Sequence, residues 1–188
     1  MFNKNKPQAN FKKTVKTNSD LIKATRKIAD NPFLNGLLPE ELNELLGYCK
    51  LCKIKMNEVI MYEGDIGDAM FFLVEGVVNV TKNLTLKTGP KDYSSMEKAI
   101  DKLDASKAFV FGEMAMFEND VRSATITAAT DCLLFEIKRK DFEELAQKNP
   151  RLGYILVKII ARLLCERVRK NNQDILKLTT ALSIALTR

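Results

Sequence analysis

The sequence predicts a mainly β protein with flanking helices, in which the strands form an antiparallel roll or barrel. Between residues 54 and 137, short runs rich in Val, Ile, Phe and Tyr alternate with glycine turns, as at Gly64, Gly67 and Gly76. Closely spaced strands of this kind, without a helix between them, argue against a Rossmann sheet. Helical periodicity before and after this region completes the prediction.

A basic arm precedes the body. Residues 1–30 hold eight basic and two acidic side chains, so they account for the whole net charge of +6, and the rest of the chain is balanced. We expect a helix around residues 19–28. With Phe2 and Phe11 interleaved, such an arm suits contact with nucleic acid or an anionic membrane, but a solvated basic leader is the preferred interpretation.

The body, predicted over residues 31–149, begins with a turn and a short helix. Pro39 is expected at the first helical position, with Leu42, Leu45 and Leu46 on one face. Strands are expected from residue 54 and again over residues 108–111, 123–128 and 132–137, followed by a helix from Lys140.

Residues 84–107 interrupt the strand pattern. They contain the turn dipeptide Gly89-Pro90, and Met96, Ile100 and Leu103 fit the spacing of a helical turn. We expect a lysine-rich insertion between strands here.

A long helix is predicted over residues 150–188, with Asn149 as its cap and Pro150 at its first position. Dense apolar residues over 152–164 favour packing on its own domain. The distal half instead carries a heptad seam with one asparagine, which favours a homodimer through a two-stranded coil. The seam consists of Leu164, Val168, Asn171, Ile175, Leu178, Leu182 and Ala185.

Composition argues against several classes of protein. No stretch approaches the ~18 uninterrupted apolar residues of a membrane span, and no signal-peptide core is present at the start, so a cytoplasmic location is expected. The chain has no histidine, the commonest general base. Cys49 and Cys52 form a CxxC without enough further ligands for a metal site. We therefore expect reduced buried thiols, and no catalytic residue, metal or cofactor.

Residues 111–128, FGEMAMFENDVRSATITA, place an acid and a base around a turn. Gly112 allows the backbone to approach a ligand closely, and Glu113 begins a helical turn whose first amides suit an anion. Arg122 begins a strand, where its guanidinium can pair with two oxygens of a phosphate. Because Glu113 can accept a bond from a sugar hydroxyl, the parts describe a pocket for a phosphate joined to a sugar. Spacing alone leaves a surface salt bridge open as the alternative.

This stretch resembles the phosphate-binding cassette of cyclic nucleotide-binding domains, as in the regulatory subunits of cAMP-dependent protein kinase and the bacterial catabolite activator protein. The family pattern is Phe-Gly-Glu, aliphatic, Ala, aliphatic, a turn, then Arg, a small residue, Ala, and Thr or Ser. The sequence reads FGEMAM, FEND and VRSAT. Upstream, VIMYEGDIGDAMFFLVEGVVNV is similar to the family's strand-and-turn signature, and the resemblance covers residues 33–164.

The resemblance implies an eight-stranded antiparallel β-roll, jelly-roll-like (a double-stranded β-helix), with helices before and after it. It implies that Arg122 pairs with a cyclic phosphate and that Glu113 accepts from the ribose 2′-OH. The ligand is then cAMP or cGMP, with cAMP favoured. The other ligand-binding residues that it implies are Gly112, Met114, Ala115, Ser123 and Ala124.

Three departures from the family pattern matter. Ala108 stands where the family usually has a glycine, which affects the local turn. The stretch near Arg167-Val168 does not match the Thr-Ser pair that reads adenine in the catabolite activator protein, so the base preference stays open. The chain stops at Arg188, where transcription factors of the family continue into a helix-turn-helix, so no DNA-binding domain is expected in it.

We therefore expect a regulatory module that binds a 3′,5′-cyclic nucleotide and signals through its C-terminal helix to a dimer mate or an unidentified output partner. Two alternatives stay open. One is a dimeric interaction or scaffold protein with the same fold and an unresponsive pocket. The other is a DNA-binding regulator that uses the basic arm.

Overall fold

The computed structural model describes residues 18–87, 93–106, 110–118 and 121–187. Within these ranges the chain forms two four-stranded antiparallel sheets with helices before and after them, as the sequence predicted. Several positions discussed above lie outside the described residues: positions 1–17 of the basic arm, Gly89-Pro90, Ala108 and Asn119-Asp120 of the FEND stretch.

Two α-helices and a 3-10 helix precede the sheets: α1 (Asn18–Ala29), the 3-10 helix Pro32–Leu34 and α2 (Pro39–Gly47). α2 begins at Pro39, as predicted, because proline lacks an amide that the first helical turn leaves unpaired anyway. α1 buries Ala24 and Ile28 in the core. This part of the basic arm is therefore packed on the body rather than fully solvated.

The strands are β1 (Lys50–Ile54), β2 (Val59–Met61), β3 (Ala69–Glu75), β4 (Val77–Lys87), β5 (Tyr93–Asp104), β6 (Val110–Phe111), β7 (Thr125–Ala128) and β8 (Cys132–Lys138). They form one sheet in the order β1-β8-β3-β6 and a second in the order β2-β7-β4-β5. The sequence analysis missed β1, which precedes the strand texture that begins at residue 54. This strand pairs with β8 from Lys50↔Glu136 to Ile54↔Cys132.

The prediction of an insertion with a helical turn over residues 84–107 is wrong. β4 and β5 form one long antiparallel ladder across this region. The ladder passes over Ile100, since Asp101 and Ala99 pair with consecutive residues of β4. An extra residue of this kind is a β-bulge, and it converts the two-residue period of a strand into a helix-like spacing of apolar residues.

β3 is buried on both faces, which places the first sheet between two apolar layers. Met70, Phe72 and Val74 pack in a core with the helices. Phe71 and Leu73 pack in a second core with strands of the other sheet. Because side chains alternate along a strand, β3 thus supplies the inner wall of the roll as well as the floor for the helices.

Two helices follow the last strand, α3 (Arg139–Lys148) and α4 (Pro150–Leu186). Asn149 caps α4 as predicted, since its side chain accepts from the amide of Leu152 at 3.1 Å. The 37 residues of α4 span about 55 Å at 1.5 Å per residue. The first part of α4 is buried on the body, also as predicted, through Leu152, Leu156, Ile159, Ile160 and Leu163. No helix among the described residues, α4 included, is apolar over a long enough stretch to cross a membrane.

Candidate functional site

A cavity of about 430 Å³ lies between the second sheet, residues 111–118 and α4. This volume lies within the range of small-molecule sites. Its sheet side is lined by apolar side chains that include Met61, Leu103 and Ile126. Its α4 side is lined by Leu164, Arg167, Val168, Lys170, Asn171 and Asp174.

The cassette turn, which we define as residues 112–118, borders the cavity. It contains a 3-10 helix, Glu113–Met116, at the place where one helical turn was expected. Gly112 precedes this helix with φ of 73°, a conformation that favours glycine. A Cβ at Gly112 would also lie 2.9 Å from Nη1 of Arg122, so the glycine permits the turn and the arginine to meet.

The backbone of Arg122 is held by the loop that joins β2 to β3. Its amide donates to the carbonyl of Asp65 at 2.7 Å, and its carbonyl accepts from the amide of Gly64 at 2.9 Å. The preceding residue, Val121, pairs with Ile66 in an isolated β-bridge. These bonds fix the position from which the Arg122 side chain enters the roll.

The Arg122 side chain lies along Gly67 and points toward the cassette turn. Only 8% of Arg122 is exposed, and its Nη1 donates to the carbonyl of Gly112 at 3.2 Å. A Cβ at Gly67 would lie 2.0 Å from Nε of Arg122, so the absence of a side chain there makes room for the guanidinium. The guanidinium carbon is 5.9 Å from the centre of the Phe71 ring, within the range of a cation–π contact.

Burial opposes the charge of Arg122, and neighbouring carboxylates support it. Removal from water lowers the pKa of Arg122, while the charges of Asp68, Glu113, Glu136 and Asp65 raise it. A guanidinium keeps its proton under such opposing influences. The site therefore holds a permanent positive charge in a water-poor environment, where attraction to an anion is stronger than in water.

Glu113, the second residue of the cassette turn, is buried and is paired with α4. Its carboxylate is 4% exposed and accepts from Nη1 of Arg167. Nη2 of Arg167 donates to the carbonyl of Val110 at 2.5 Å. A second ion pair, from Lys170 to Asp101 at 2.8 Å, joins α4 to β5 beside the cavity. α4 thus covers the cavity through two ion pairs.

Sequence reasoning did not identify Arg167 as a site residue. This part of the chain entered the prediction as a mismatch to a family motif and, through Leu164, Val168 and Asn171, as part of the heptad seam. One signal was present, because Leu164, Arg167 and Asn171 follow the three- and four-residue spacing of one helix face. Which face of a helix meets a distant glutamate still depends on how the helix packs.

All seven predicted ligand-binding residues line this one cavity: Gly112, Glu113, Met114, Ala115, Arg122, Ser123 and Ala124. Arg122, Glu113, Ala115 and Ala124 are buried, whereas Met114 and Ser123 are exposed. The surface salt bridge that spacing left open is not found, since Glu113 pairs with Arg167 instead and both predicted charges are buried.

The cysteines do not form a site. Cys52 and Cys132 are buried, Cys49 is half-buried and Cys165 is exposed, and all are free thiols. Burial raises the pKa of Cys52 to about 12 and that of Cys49 further still, so both are protonated at neutral pH. In the part of the chain that the structure describes, no three Cys, Asp or Glu side chains gather as metal ligands.

Comparison with known protein families gives a match over the region that contains the strands and the cassette turn. A family model described as cyclic nucleotide-binding domain matches residues 51–149. This range begins in β1 and ends at the junction between α3 and α4. It therefore includes the cassette turn and Arg122, and leaves out the α4 residues that cover the cavity.

Two relatives are similar in sequence to this chain over most of its length. Glutaminase 1 of Bradyrhizobium diazoefficiens is 31% identical over 156 residues, which is 83% of this chain and 23% of that protein. The cyclic AMP receptor protein of Thermus thermophilus is 27% identical over 136 residues, which is 72% of this chain and 58% of that protein. This chain thus spans less than two thirds of the length of either curated relative.

The fold has solved counterparts. The crystal structure of a cyclic nucleotide-binding domain from Methylobacillus flagellatus superposes with a TM-score of 0.68 at 23% identity, covering 84% of this chain and 83% of that one. At this level of identity the likeness concerns the fold, and the eight-stranded roll with a long final helix matches the one predicted.

Proposed function

Because this chain belongs to the cyclic nucleotide-binding domain family, we propose that it is a regulatory module that binds a 3′,5′-cyclic nucleotide in the cavity beside Arg122. One observation carries the proposal. A buried guanidinium, that of Arg122, and a buried carboxylate, that of Glu113, both lie in the wall of the same cavity. A cyclic nucleotide carries the two complementary groups, an anion and an adjoining sugar hydroxyl.

The phosphate end of the ligand is assigned to Arg122. Its planar fork can donate to both exocyclic oxygens of a cyclic phosphate, and such charge-assisted bonds contribute about 1.5–3 kcal/mol each. Gly67 and Gly112 leave the space in which the fork lies. Met114 and Ala115 border the same end from the cassette turn.

The ribose is assigned to Glu113. A carboxylate has about four lone-pair directions, so Glu113 can accept from the ribose 2′-OH while it also accepts from Arg167. Ser123 and Ala124 follow Arg122 in the cavity wall and directly precede β7. We propose that Ser123 supplies a hydroxyl beside the phosphate and that Ala124 leaves room for the ring.

We propose cAMP as the preferred nucleotide and cGMP as the weaker one. The relative from Thermus thermophilus is named as a cyclic AMP receptor protein, which supports this order. The edge of the base would meet residues of α4 and β5, where the cavity wall contains Asn171 and Asp101.

Transmission is proposed to run through α4. Arg167 attaches this helix to the cassette turn and Lys170 attaches it to β5, and residues of α4 form part of the cavity wall. A nucleotide that contacts Glu113 and α4 together would bind one position of the helix more tightly than others. The bound population would then shift toward that position, which is what a regulatory domain requires.

The exposed half of α4 is proposed to bind a second copy of the chain. The heptad spacing puts Val168 and Ile175 at a positions and Leu178 at a d position, a combination that favours parallel two-stranded coils. All three side chains are more than half exposed in the single chain. Since Val168 also lines the cavity, a ligand and a partner helix would contact the same stretch of α4.

The test is titration calorimetry of cAMP and cGMP into the intact chain. We expect roughly micromolar binding of cAMP, near −8 kcal/mol, and weaker binding of cGMP. Arg122→Ala should weaken cAMP binding at least about a hundredfold, since two charge-assisted bonds are lost. Arg162→Ala is the matched control, because Arg162 is an exposed arginine of α4. If the wild-type protein dimerises but binds neither nucleotide at millimolar concentration, the proposed function is wrong and the dimeric scaffold alternative is favoured.

A further inference from the structure

Arg139, the first residue of α3, holds the far end of the cassette turn. Its Nε donates to the carbonyl of Ala115 at 2.6 Å, and its Nη2 donates to the carbonyl of Glu118. Its backbone amide donates to the carbonyl of Asp68 at 2.6 Å. One residue therefore connects the cassette turn, the start of β3 and the start of α3.

The cassette turn needs such a connection. A 3-10 helix of four residues has poor hydrogen-bond geometry and does not persist on its own. Its last carbonyls lack partners within the helix and carry partial negative charge, which suits a guanidinium. With one planar group, Arg139 satisfies the carbonyl of Ala115 in this helix and that of Glu118 two residues beyond its end, a geometry that a lysine lacks.

The same connection reaches Arg122 from two directions. The backbone carbonyl of Asp68 accepts from the amide of Arg139. The side-chain carboxylate of Asp68 is the first of the nearby charges that stabilise the protonated form of Arg122. The opposite end of the cassette turn, Gly112, accepts from the side chain of Arg122. A shift of the turn relative to α3 would thus change the surroundings of the anion site.

Accordingly, we propose that Arg139 is a positioning residue for the nucleotide site: it keeps the cassette turn in its ligand-accepting geometry and passes movements of the turn to α3. The inference rests on the proposed function. Arg139 contacts the turn from the α3 side and is not part of the described cavity wall, so its substitution leaves that wall chemically intact.

The experiment compares Arg139→Gln, Arg139→Lys and Lys140→Gln. Lys140 is the matched control, because it is the next residue, carries the same charge and is exposed. Calorimetry should show that Arg139→Gln weakens cAMP and cGMP by the same factor, about tenfold or more, since the turn contacts the part that both nucleotides share. Arg139→Lys should recover part of the loss, and Lys140→Gln should bind like the wild type.

A second measurement separates positioning from general stability. Hydrogen exchange of the unliganded protein should become faster over residues 110–118 in Arg139→Gln, while the amides of β3 and β8 keep their protection. Equal affinity of Arg139→Gln and wild type would overturn the proposal, as would faster exchange spread evenly over the sheets. If the wild type itself binds no nucleotide, the proposed function fails, and the exchange data still decide whether Arg139 positions the turn.

Discussion

Arg167 of α4 pairs with the buried carboxylate of Glu113, although 54 residues separate them in the chain. The arginine is one-third exposed, whereas the glutamate is nearly inaccessible. The pair therefore connects the partly exposed surface of a helix to the wall of the proposed nucleotide site. Any ligand that changes the hydrogen bonding of Glu113 acts directly on the attachment of α4.

Arg167→Gln should destabilise the protein and loosen α4. Breaking a buried ion pair costs about 3–5 kcal/mol and an exposed pair about 0–1, so we expect a loss of about 2 kcal/mol for this half-buried one. Urea unfolding measures the loss. Lys177→Gln, which removes a more exposed pair with Asp174 on the same helix, should change the free energy of unfolding by less than about 0.5 kcal/mol.

The coupling between Arg167 and Glu113 can be isolated with Glu113→Gln and the double substitution. If the two residues interact as the structure indicates, the double variant should be more stable than the sum of the single effects predicts. If the two single changes in the free energy of unfolding add up to the change in the double variant, the pairing of Arg167 with Glu113 is contradicted. Hydrogen exchange over residues 164–175 should rise in both single variants.

Gly67→Ala should impair nucleotide binding through Arg122. The added Cβ would lie 2.0 Å from Nε and 2.3 Å from Cζ of Arg122, so the guanidinium has to move away from the anion site. We expect cAMP affinity to fall about tenfold or more, with a loss of stability of about 1 kcal/mol. Gly47→Ala is the control, since a Cβ at that position meets no atom within 4 Å. Unchanged affinity in Gly67→Ala would show that Arg122 does not contact the ligand in this position.

Leu178→Glu should separate the proposed dimer into monomers. A charge at a d position of a two-stranded coil is buried against the partner helix, which is unfavourable without a matching charge. Sedimentation equilibrium of wild type and variant measures the change. Thr180→Glu places the same charge on the opposite face of α4 and should leave the dimer intact. If the wild-type chain sediments as a monomer at high concentration, the proposed dimer through the heptad seam is wrong.

Stability should fall in acid through Glu41, which anchors the junction of α3 and α4. Glu41 accepts from the amide of Leu38 at 2.9 Å and from the side chain of Arg151, and these two bonds lower its pKa below 4.5. A lowered pKa means that the contribution of Glu41 is complete above its ordinary pKa and is lost as pH falls through the folded value. Glu41→Gln should therefore be less stable than wild type at neutral pH, and the two should converge as pH falls below the lowered pKa of Glu41.

Unfolding curves at neutral pH and at a series of acidic pH values measure this convergence. Glu40→Gln is the control, because Glu40 lies one residue away in α2 and is exposed. It should leave the pH dependence of the wild type unchanged. If the difference in the free energy of unfolding between Glu41→Gln and wild type stays constant from neutral pH into acid, the stabilising role of the Glu41 carboxylate is wrong.

Much of the fold could be predicted because its causes are local. Pro39 and Asn149 mark helix starts, and glycines separate runs of strand-forming residues. The prediction was wrong over residues 84–107, where a bulge at Ile100 gives a strand the apolar spacing of a helix. It also missed β1, whose residues show weak strand texture and pair only with the distant β8.

The chain by itself determined the cassette turn, the nearby Arg122 and the periodic surface of the final helix, since each depends on residues close together in sequence. Only the tertiary structure decided that Glu113 meets Arg167, that Arg139 holds the cassette turn and that Gly67 makes room for the guanidinium. These contacts join residues far apart in the chain. Their geometry follows from how the helices and the roll pack, which no local pattern of residues encodes.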